Sequence, residues 1–412
     1  MNVLHVSPWF MPARRYGQRV DAVYRLCLNL ARAGCEIRAL STDAAGLDHD
    51  LALNTAHEHA IAAGFYVRYC HRFVRHSVSP ALLRFMRPYV KWADVVHLNA
   101  VHWFTTLPTL IACRMLRRPL VWSPRGDLLR AGGGVIRAAH SGWEAVCRGL
   151  MPRDTVMHAT SEEERAASRA HFPKLTAAVI GDGVTIPREV ARAAGDDSLC
   201  LGYIGGFEAG GGIENLIEAC RILKRDGLAV KIRIAGRIQP GYEGLLEDRI
   251  GAIGLGLEIE VLGYLGRPAR RRFFERVDLA VMTSASGESA TAVAEALAHG
   301  VPVIVSKDLP WPRVEEKGCG LWVDNAAGAL ARAIRQMSAA PLEEMGRRGR
   351  QWVIDDFSWD HAARSMCEVY RRLIPERIGV AGMHPAFGSQ LPHRPRHHRH
   401  GSSRREQQSH YR

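Results

Sequence analysis

The chain has 412 residues, 47% of them hydrophobic and 24% charged, with a formal net charge of +13. That length exceeds one ordinary core and predicts two domains, and the composition is that of a soluble globular protein, which excludes a fibrous or wholly disordered chain. No apolar run approaches the roughly 18–20 residues of a membrane span, MNVLHVSPWF lacks the charged start and apolar core of a secretion signal, and nine scattered cysteines without a C-x-x-C pair predict reduced thiols in a cytosol, with neither a disulfide frame nor a zinc site.

In chain order, Val3-Leu4-His5-Val6 reads as a short buried strand that stops at Ser7-Pro8. A loop carrying Gly17 follows, and then Val20, Val23, Leu26, Cys27, Leu30 and Ala31 recur at helical spacing up to Gly34. Ile37-Arg38-Ala39-Leu40 is the next strand. In this βαβ opening Gly17 either receives a phosphate on backbone N–H groups or serves the turn alone. Residues 44–92 show no regular pattern and are rich in His and Arg. Val95–Leu98 is a strand; His97 within it reads as a core residue, and His102 lies in the loop beyond. A helix runs on to Met115, and strand Leu120–Ser123 ends at the turn Pro124-Arg125-Gly126-Asp127. Three glycines, 132–134, break the chain. After strand Thr155–Ala159, Ser161 caps a helix that opens on three Glu. Gly181-Asp182-Gly183-Val184 then leads into a polar linker from Pro187.

A second set begins at Leu199: strand Cys200–Ile204, a glycine-rich loop to Gly212, helix Ile213–Lys224 and strand Val230–Ala235. Gly236-Arg237, helix Tyr242–Ile253, strand Glu258–Leu262 and helix Ala269–Glu275 follow. Strand Leu279–Met282 then meets a short acidic turn, Ser286-Gly287-Glu288-Ser289, before helix Ala292–Ala298 and strand Val301–Val305. Glu288 and Glu295 can both face a ligand at the carboxyl end of that strand, where open α/β sheets bind ligands. Two α/β halves, each opening strand–glycine loop–helix, predict two Rossmann-like domains facing a cleft. We place them at 1–187 and 188–358, with segment 359–374 packing back on the first and 375–412 as a disordered basic tail.

The ordered series VVHLNAVHW, SPRG, HATSEEE, D-G-V, GGIENLIEA, IAG, VLGYL, AEALAHGVPVIVS, GCGLWVD and FSW resembles the GT-B glycosyltransferases of the family-4, retaining type, over about residues 1–374. The resemblance implies an α/β GT-B fold. It also implies a UDP- or GDP-sugar donor on the C-terminal domain and a saccharide or lipid-linked acceptor on the N-terminal one. It further implies retention, no resident metal and no cofactor beyond the nucleotide-sugar co-substrate. Departure of a nucleoside diphosphate builds charge that cations or helix N-termini must stabilise. On this reading Glu295 holds the ribose diol, Glu288 contacts the sugar, Arg125 takes an acceptor phosphate or the leaving diphosphate, and His102 serves the acceptor. Gly206, Gly211, Gly212, Arg237 and Gly17 bind the donor. The chain departs from the family pattern in three places. The first acid falls on Gly287, so Glu288 stands one place late. The family's Arg and Lys fall on Gly206 and Gly211. Gln18 replaces a second N-terminal glycine.

Arg84, Arg87, Lys91, Arg114, Arg117, Arg118, Arg125, Arg130 and Arg137 form a basic run that either rests on an anionic membrane surface or is a solvated face. Six Arg and one Glu in 384–412 supply +5 of the charge. With 7% aromatic residues and no binding module, nucleic acid is not expected as a partner. The expected activity is therefore hexosyl transfer in cell-surface polysaccharide synthesis, by a cytoplasmic protein able to sit at the inner face of the membrane. The missing cations leave a binding or assembly protein, or a sugar-nucleotide epimerase, as alternatives.

Overall fold

The computed structural model describes residues 1–374 except 47–48, 75–76, 130–132, 191–197, 207–211, 237, 240, 242–243, 245–249, 252–253, 255–257 and 284–286, and without the side chains of 267 and 287–290. Helix Tyr242–Ile253, Gly211, Arg237, Arg130 and the tail from 375 thus lie largely or wholly outside the described residues. Met1–Ile374 is one compact unit.

The first sheet has eight strands in the order β3-β4-β2-β1-β5-β6-β7-β8. They are β1 Asn2–Val6, β2 Glu36–Thr42, β3 Glu58–Ala62, β4 Phe65–Cys70, β5 Val95–Asn99, β6 Leu120–Ser123, β7 Thr155–Ala159 and β8 Thr176–Val179. All pairs are parallel except β3 with β4. Parallel strands need both faces covered. One face receives helices α2 Pro80–Trp92, α3 Thr106–Met115, α4 Gly134–Leu150 and α5 Glu162–His171, with Leu82, Met86, Leu110 and Cys147 in a shared core. The other face receives α1 Gln18–Arg32, through Val20, Val23, Leu26 and Leu30.

Residues 44–92, featureless in sequence, hold β3, β4 and α2. The antiparallel β3–β4 pair turns through Gly64 at φ +69°. Helix α2 starts at the Ser79-Pro80 signal, where the Ser79 hydroxyl accepts from Leu82 N at 3.2 Å. Helix α4 was hidden for another reason: its first nine residues are almost wholly exposed, so no buried stripe marks them.

The second sheet has six parallel strands in the order β11-β10-β9-β12-β13-β14. They are β9 Leu199–Ile204, β10 Val230–Ala235, β11 Ile259–Val261, β12 Leu279–Met282, β13 Val303–Ser306 and β14 Gly320–Val323. One face carries α6 Ile213–Arg225 and α10 Ala327–Ser338. The other carries α7 Arg267–Phe274, α8 Gly287–Ala298 and α11 Leu342–Phe357; the short α9, Arg313–Glu316, packs on β14.

The last helix, α12 Trp359–Leu373, returns to the first sheet and lies on α1. Trp359, Ala362, Ala363, Met366 and Tyr370 join the core that holds Val3, Val95 and Val121. The return is tight at Gly183, where an added Cβ would stand 2.5 Å from the Trp359 backbone. Val184 N donates to Phe357 O at 2.8 Å beside it.

Candidate active site

The carboxyl ends of β1, β5, β6 and β7 bring polar side chains together beneath α12. His5 lies opposite His97 in the β1–β5 register, and Ser123 and His158 follow on the same face. His158 Nε2 donates to Ile180 O at 3.0 Å, so its Nδ1 accepts from the Ser123 hydroxyl at 2.6 Å. Ser123 Oγ is then the acceptor for His97 Nε2–H at 2.6 Å, and His97 Nδ1 accepts from Tyr370 at 2.5 Å. His5 Nε2 meets Tyr370 Oη at 3.4 Å. One carbonyl thus sets the tautomer of three rings. The series ends at His5 Nδ1, buried and unpartnered among the described residues.

Burial, followed by the nearby Arg125 charge, pushes His5 down to about 3, and the same two causes push His158 to about 4. Burial holds His97 well below its ordinary value, with the neighbouring histidines next in importance. All three rings are neutral at pH 7. His97 is the core residue that its strand position implied.

Arg125 sits on the next turn, at a φ of +55°. For a non-glycine residue that conformation costs roughly 1–2 kcal/mol, so the surroundings must hold it. Gly126 N donates to Glu164 Oε1 at 2.6 Å, and the Asp127 carboxylate accepts from Val101 N and from Arg19 Nη1, each at 2.9 Å. The side chain is buried at 4% exposure. Its Nη1 donates to Asp182 Oδ1 at 2.6 Å, and its Nε faces Asn99 Oδ1 at 3.5 Å. Nη2 is buried with no partner among the described residues. A buried guanidinium nitrogen without a partner keeps donors whose chemistry suits an anion. This placement also removes Arg125 from the surface run of cations in which the sequence put it.

His102 is on the neighbouring loop, stacked on His140 with ring centroids 3.8 Å apart. Its Nε2 donates to Glu144 Oε1 at 3.0 Å, and His171 Nδ1 donates to the other oxygen at 2.7 Å. Burial lowers the His102 pKa, with the Glu144 bond opposing. The neutral ring therefore carries its proton on Nε2 and presents Nδ1 as the acceptor. Gly17, at φ +76°, precedes α1 with no side-chain cap and with open space where a Cβ would stand.

Among the described residues the second sheet's carboxyl edge is plainer. Gly206 has open space at its Cβ position. Gly212 is left-handed at φ +86° and heads α6 without a side-chain cap; a Cβ there would meet Thr283 O at 2.7 Å. Its lack of a side chain is thus a packing requirement in its own right, beside the donor role that the sequence reading gave it. Helix α8 begins at Gly287, earlier than expected, so Glu288 belongs to its first turn and not to a loop. Six residues lie between Glu288 and Glu295, an i, i+7 spacing that puts the two positions on one helical face. Glu295 is already engaged: Arg270 Nη2 and Nε bond its Oε2 at 2.5 and 2.8 Å. Arg270, Asp182, Asn99 and Glu164 went unrecognised in the sequence, since only the folded register shows whom they meet. Among the described residues no three His, Cys, Asp or Glu gather as a metal site, and no helix is long and apolar enough to cross a membrane.

Residues 189–352 match the family described as glycosyl transferases group 1. That segment is a glycosyl transferases group 1 domain. Within it lie α6 with its glycine approach, Arg270 and Glu295. The putative colanic acid biosynthesis glycosyltransferase WcaL of Salmonella typhimurium is 29% identical over 173 residues, 39% of this chain and 42% of WcaL. A GDP-mannose-dependent alpha-(1-6)-phosphatidylinositol dimannoside mannosyltransferase of Mycobacterium tuberculosis is 29% identical over 151 residues, 36% of this chain and 38% of that protein. The matched stretch is thus under half of either relative. Beyond the group 1 domain, Anabaena HepE in complex with UDP superposes with a TM-score of 0.62 at 17% identity, covering 90% of this chain and all of HepE. The fold is GT-B.

Proposed function

We propose that the protein is a retaining glycosyltransferase. It moves a sugar from a nucleotide sugar to a saccharide or lipid-linked acceptor in cell-surface polysaccharide synthesis. The observation that carries this reading is the Arg125 guanidinium, buried at the carboxyl edge with one nitrogen open. A nucleoside diphosphate that leaves gathers negative charge, and a preorganised buried cation stabilises that charge more than water does. Asp182 and Asn99 fix its direction, so little reorganisation is needed.

The remaining roles follow the same chemistry. Glu295 takes the ribose diol, turned by Arg270. The uncapped first turn of α6, with Gly206, Gly211 and Gly212 before it, accepts the diphosphate on backbone N–H groups. Glu288, Arg237 and Gly17 complete the donor contacts, and neutral His102 accepts a hydroxyl proton or hydrogen bond on the acceptor side. Relatives named for colanic acid and amylovoran biosynthesis, and one named for a phosphatidylinositol dimannoside, support the polymer or lipid-linked class of acceptor. Incubation of the purified protein with UDP- and GDP-sugars is expected to release nucleoside diphosphate. No release and no binding across a full donor panel would overturn the reading.

The absence of side-chain cations at Gly206 and Gly211 favours one rival, a GT-B protein that binds a partner without catalysis. Calorimetry separates the two: the rival predicts no affinity for UDP or GDP, and micromolar binding ends it. An epimerase would convert the sugar nucleotide with no acceptor present.

A further inference from the structure

Helices α2, α3 and α4 stand side by side on one face of the first sheet, joined inward through one core. Their outward side is unusual. Leu83, Ile111, Met115, Val135, Ile136 and Val146 are exposed, at 48, 41, 73, 86, 58 and 50%. They are six of the fourteen large hydrophobic side chains exposed among the described residues, so apolar exposure is concentrated on this layer. Arg84, Arg87, Lys91, Arg114, Arg137 and Arg148 are exposed on the same three helices. Arg114 and Arg148 bond backbone carbonyls, of Gly149 and His171, which leaves their charge uncancelled. The only carboxylate in the three helices is Glu144, and it is buried beneath His102 and His171.

We infer that the outer face of α2, α3 and α4 docks on an anionic lipid bilayer. Aliphatic side chains among cations, with no exposed acid, match a headgroup layer that offers negative charge above hydrocarbon. A polyanion such as nucleic acid would match the charge but leave the aliphatic groups unused, and no aromatic side chain projects from this layer for bases to stack on. The direction of α4 ties the face to the site. Trp143 Nε1 donates to Val101 O, and Arg114 Nη1 donates to Gly149 O, so α4 runs alongside α3. Its first turns, with Val135 and Ile136, project past the sheet's carboxyl edge, where His140 stacks on His102. Docking on this face brings the Arg125 edge beside the bilayer, where a lipid-linked acceptor emerges. The docking itself is read without donor or acceptor, so its failure is distinct from failure of the transferase reading.

The test uses the full chain and co-sedimentation with phosphatidylcholine vesicles, with and without phosphatidylglycerol. Wild type is expected to bind only the anionic vesicles. An Arg87→Glu, Lys91→Glu, Arg114→Glu protein should bind at least about tenfold more weakly, because each cation near such a surface contributes roughly fivefold. An equal charge change on the other sheet's helices, Arg225→Glu, Arg332→Glu, Arg347→Glu, should retain wild-type binding. Met115→Asp with Ile136→Asp should also weaken binding, about tenfold, with every cation kept. A measurement on unaltered protein stands beside these: anionic vesicles should shield Lys91 from acetylation and leave the acetylation rates of Lys224 and Lys231 unchanged. Equal binding to neutral and anionic vesicles, equal loss in both charge-reversed proteins, or an unshielded Lys91 would each overturn the assignment.

Discussion

The carboxyl edges of the two sheets are built on opposite plans. The first buries its charge: Arg125 is held by Asp182 and Asn99, and three neutral histidines are chained through Ser123 and Tyr370. The second offers glycines, an uncapped helix and one carboxylate already paired with Arg270. Anion chemistry needs a fixed cation, and among the described residues Arg125 offers one with an unpartnered nitrogen at the first sheet's carboxyl edge. The difference teaches that one sheet edge can fix a buried cation through neighbouring polar groups while the other relies on backbone and glycine.

The largest expected effect concerns stability in acid. His5 and His158 fall from an ordinary 6.5 to about 3 and about 4 on folding. The unfolded chain therefore binds more protons below pH 6.5, and stability is lost as pH falls from there toward the folded values. Each ring should cost about 2 kcal/mol by pH 5. Thermal melts across that range should show a steep fall, and His5→Phe should flatten it by about 1.4 kcal/mol per pH unit. A melting temperature independent of pH over that window would contradict the neutral-ring assignment.

Next in size is Arg125→Met. It removes a charge-assisted bond of roughly 1.5–3 kcal/mol, so nucleoside diphosphate release should drop on the order of a hundredfold with the fold retained. Activity near wild type would move the decisive cation elsewhere. Gly206→Arg probes the other edge. The Cβ position is open, and restoring a cation should tighten nucleoside diphosphate binding on the order of tenfold by calorimetry; unchanged affinity would mean that no diphosphate lies there. Glu295→Gln should be smallest, weakening donor binding about fivefold, roughly 1 kcal/mol, with little change in turnover of bound donor. Equal donor affinity in the variant would detach Glu295 from the ribose.

The architecture was legible wherever apolar runs and capping residues agreed. β1, β5, β6 and β9 read as buried strands, and Ser161 capped the predicted helix, its hydroxyl accepting from Glu164 N at 3.1 Å. What was not legible depended on partners distant in sequence. Arg125 stood out in the SPRG turn, but Asp182 is 57 residues away and its bond follows from sheet register. Arg270 sits in a stretch of four arginines, and only the packing of α7 beside α8 singles it out for Glu295. Helix α8 began early because Gly287 and Glu288 joined the following helix formers, where a turn had been read.

Tyr370 bonds His97 and lies 3.4 Å from His5, a residue 365 positions earlier. Strand β1 is thus finished by a helix whose tyrosine is translated 365 residues later. Until α12 emerges, Val3, Val95 and Val121 lack part of their cover, and His97 lacks the hydroxyl that completes its bonding. Nascent chains arrested before residue 359 should therefore carry an open apolar flank that holdase chaperones recognise. Emergence of α12 closes that flank, which makes its synthesis, more than the first sheet's own residues, the event that ends the exposure.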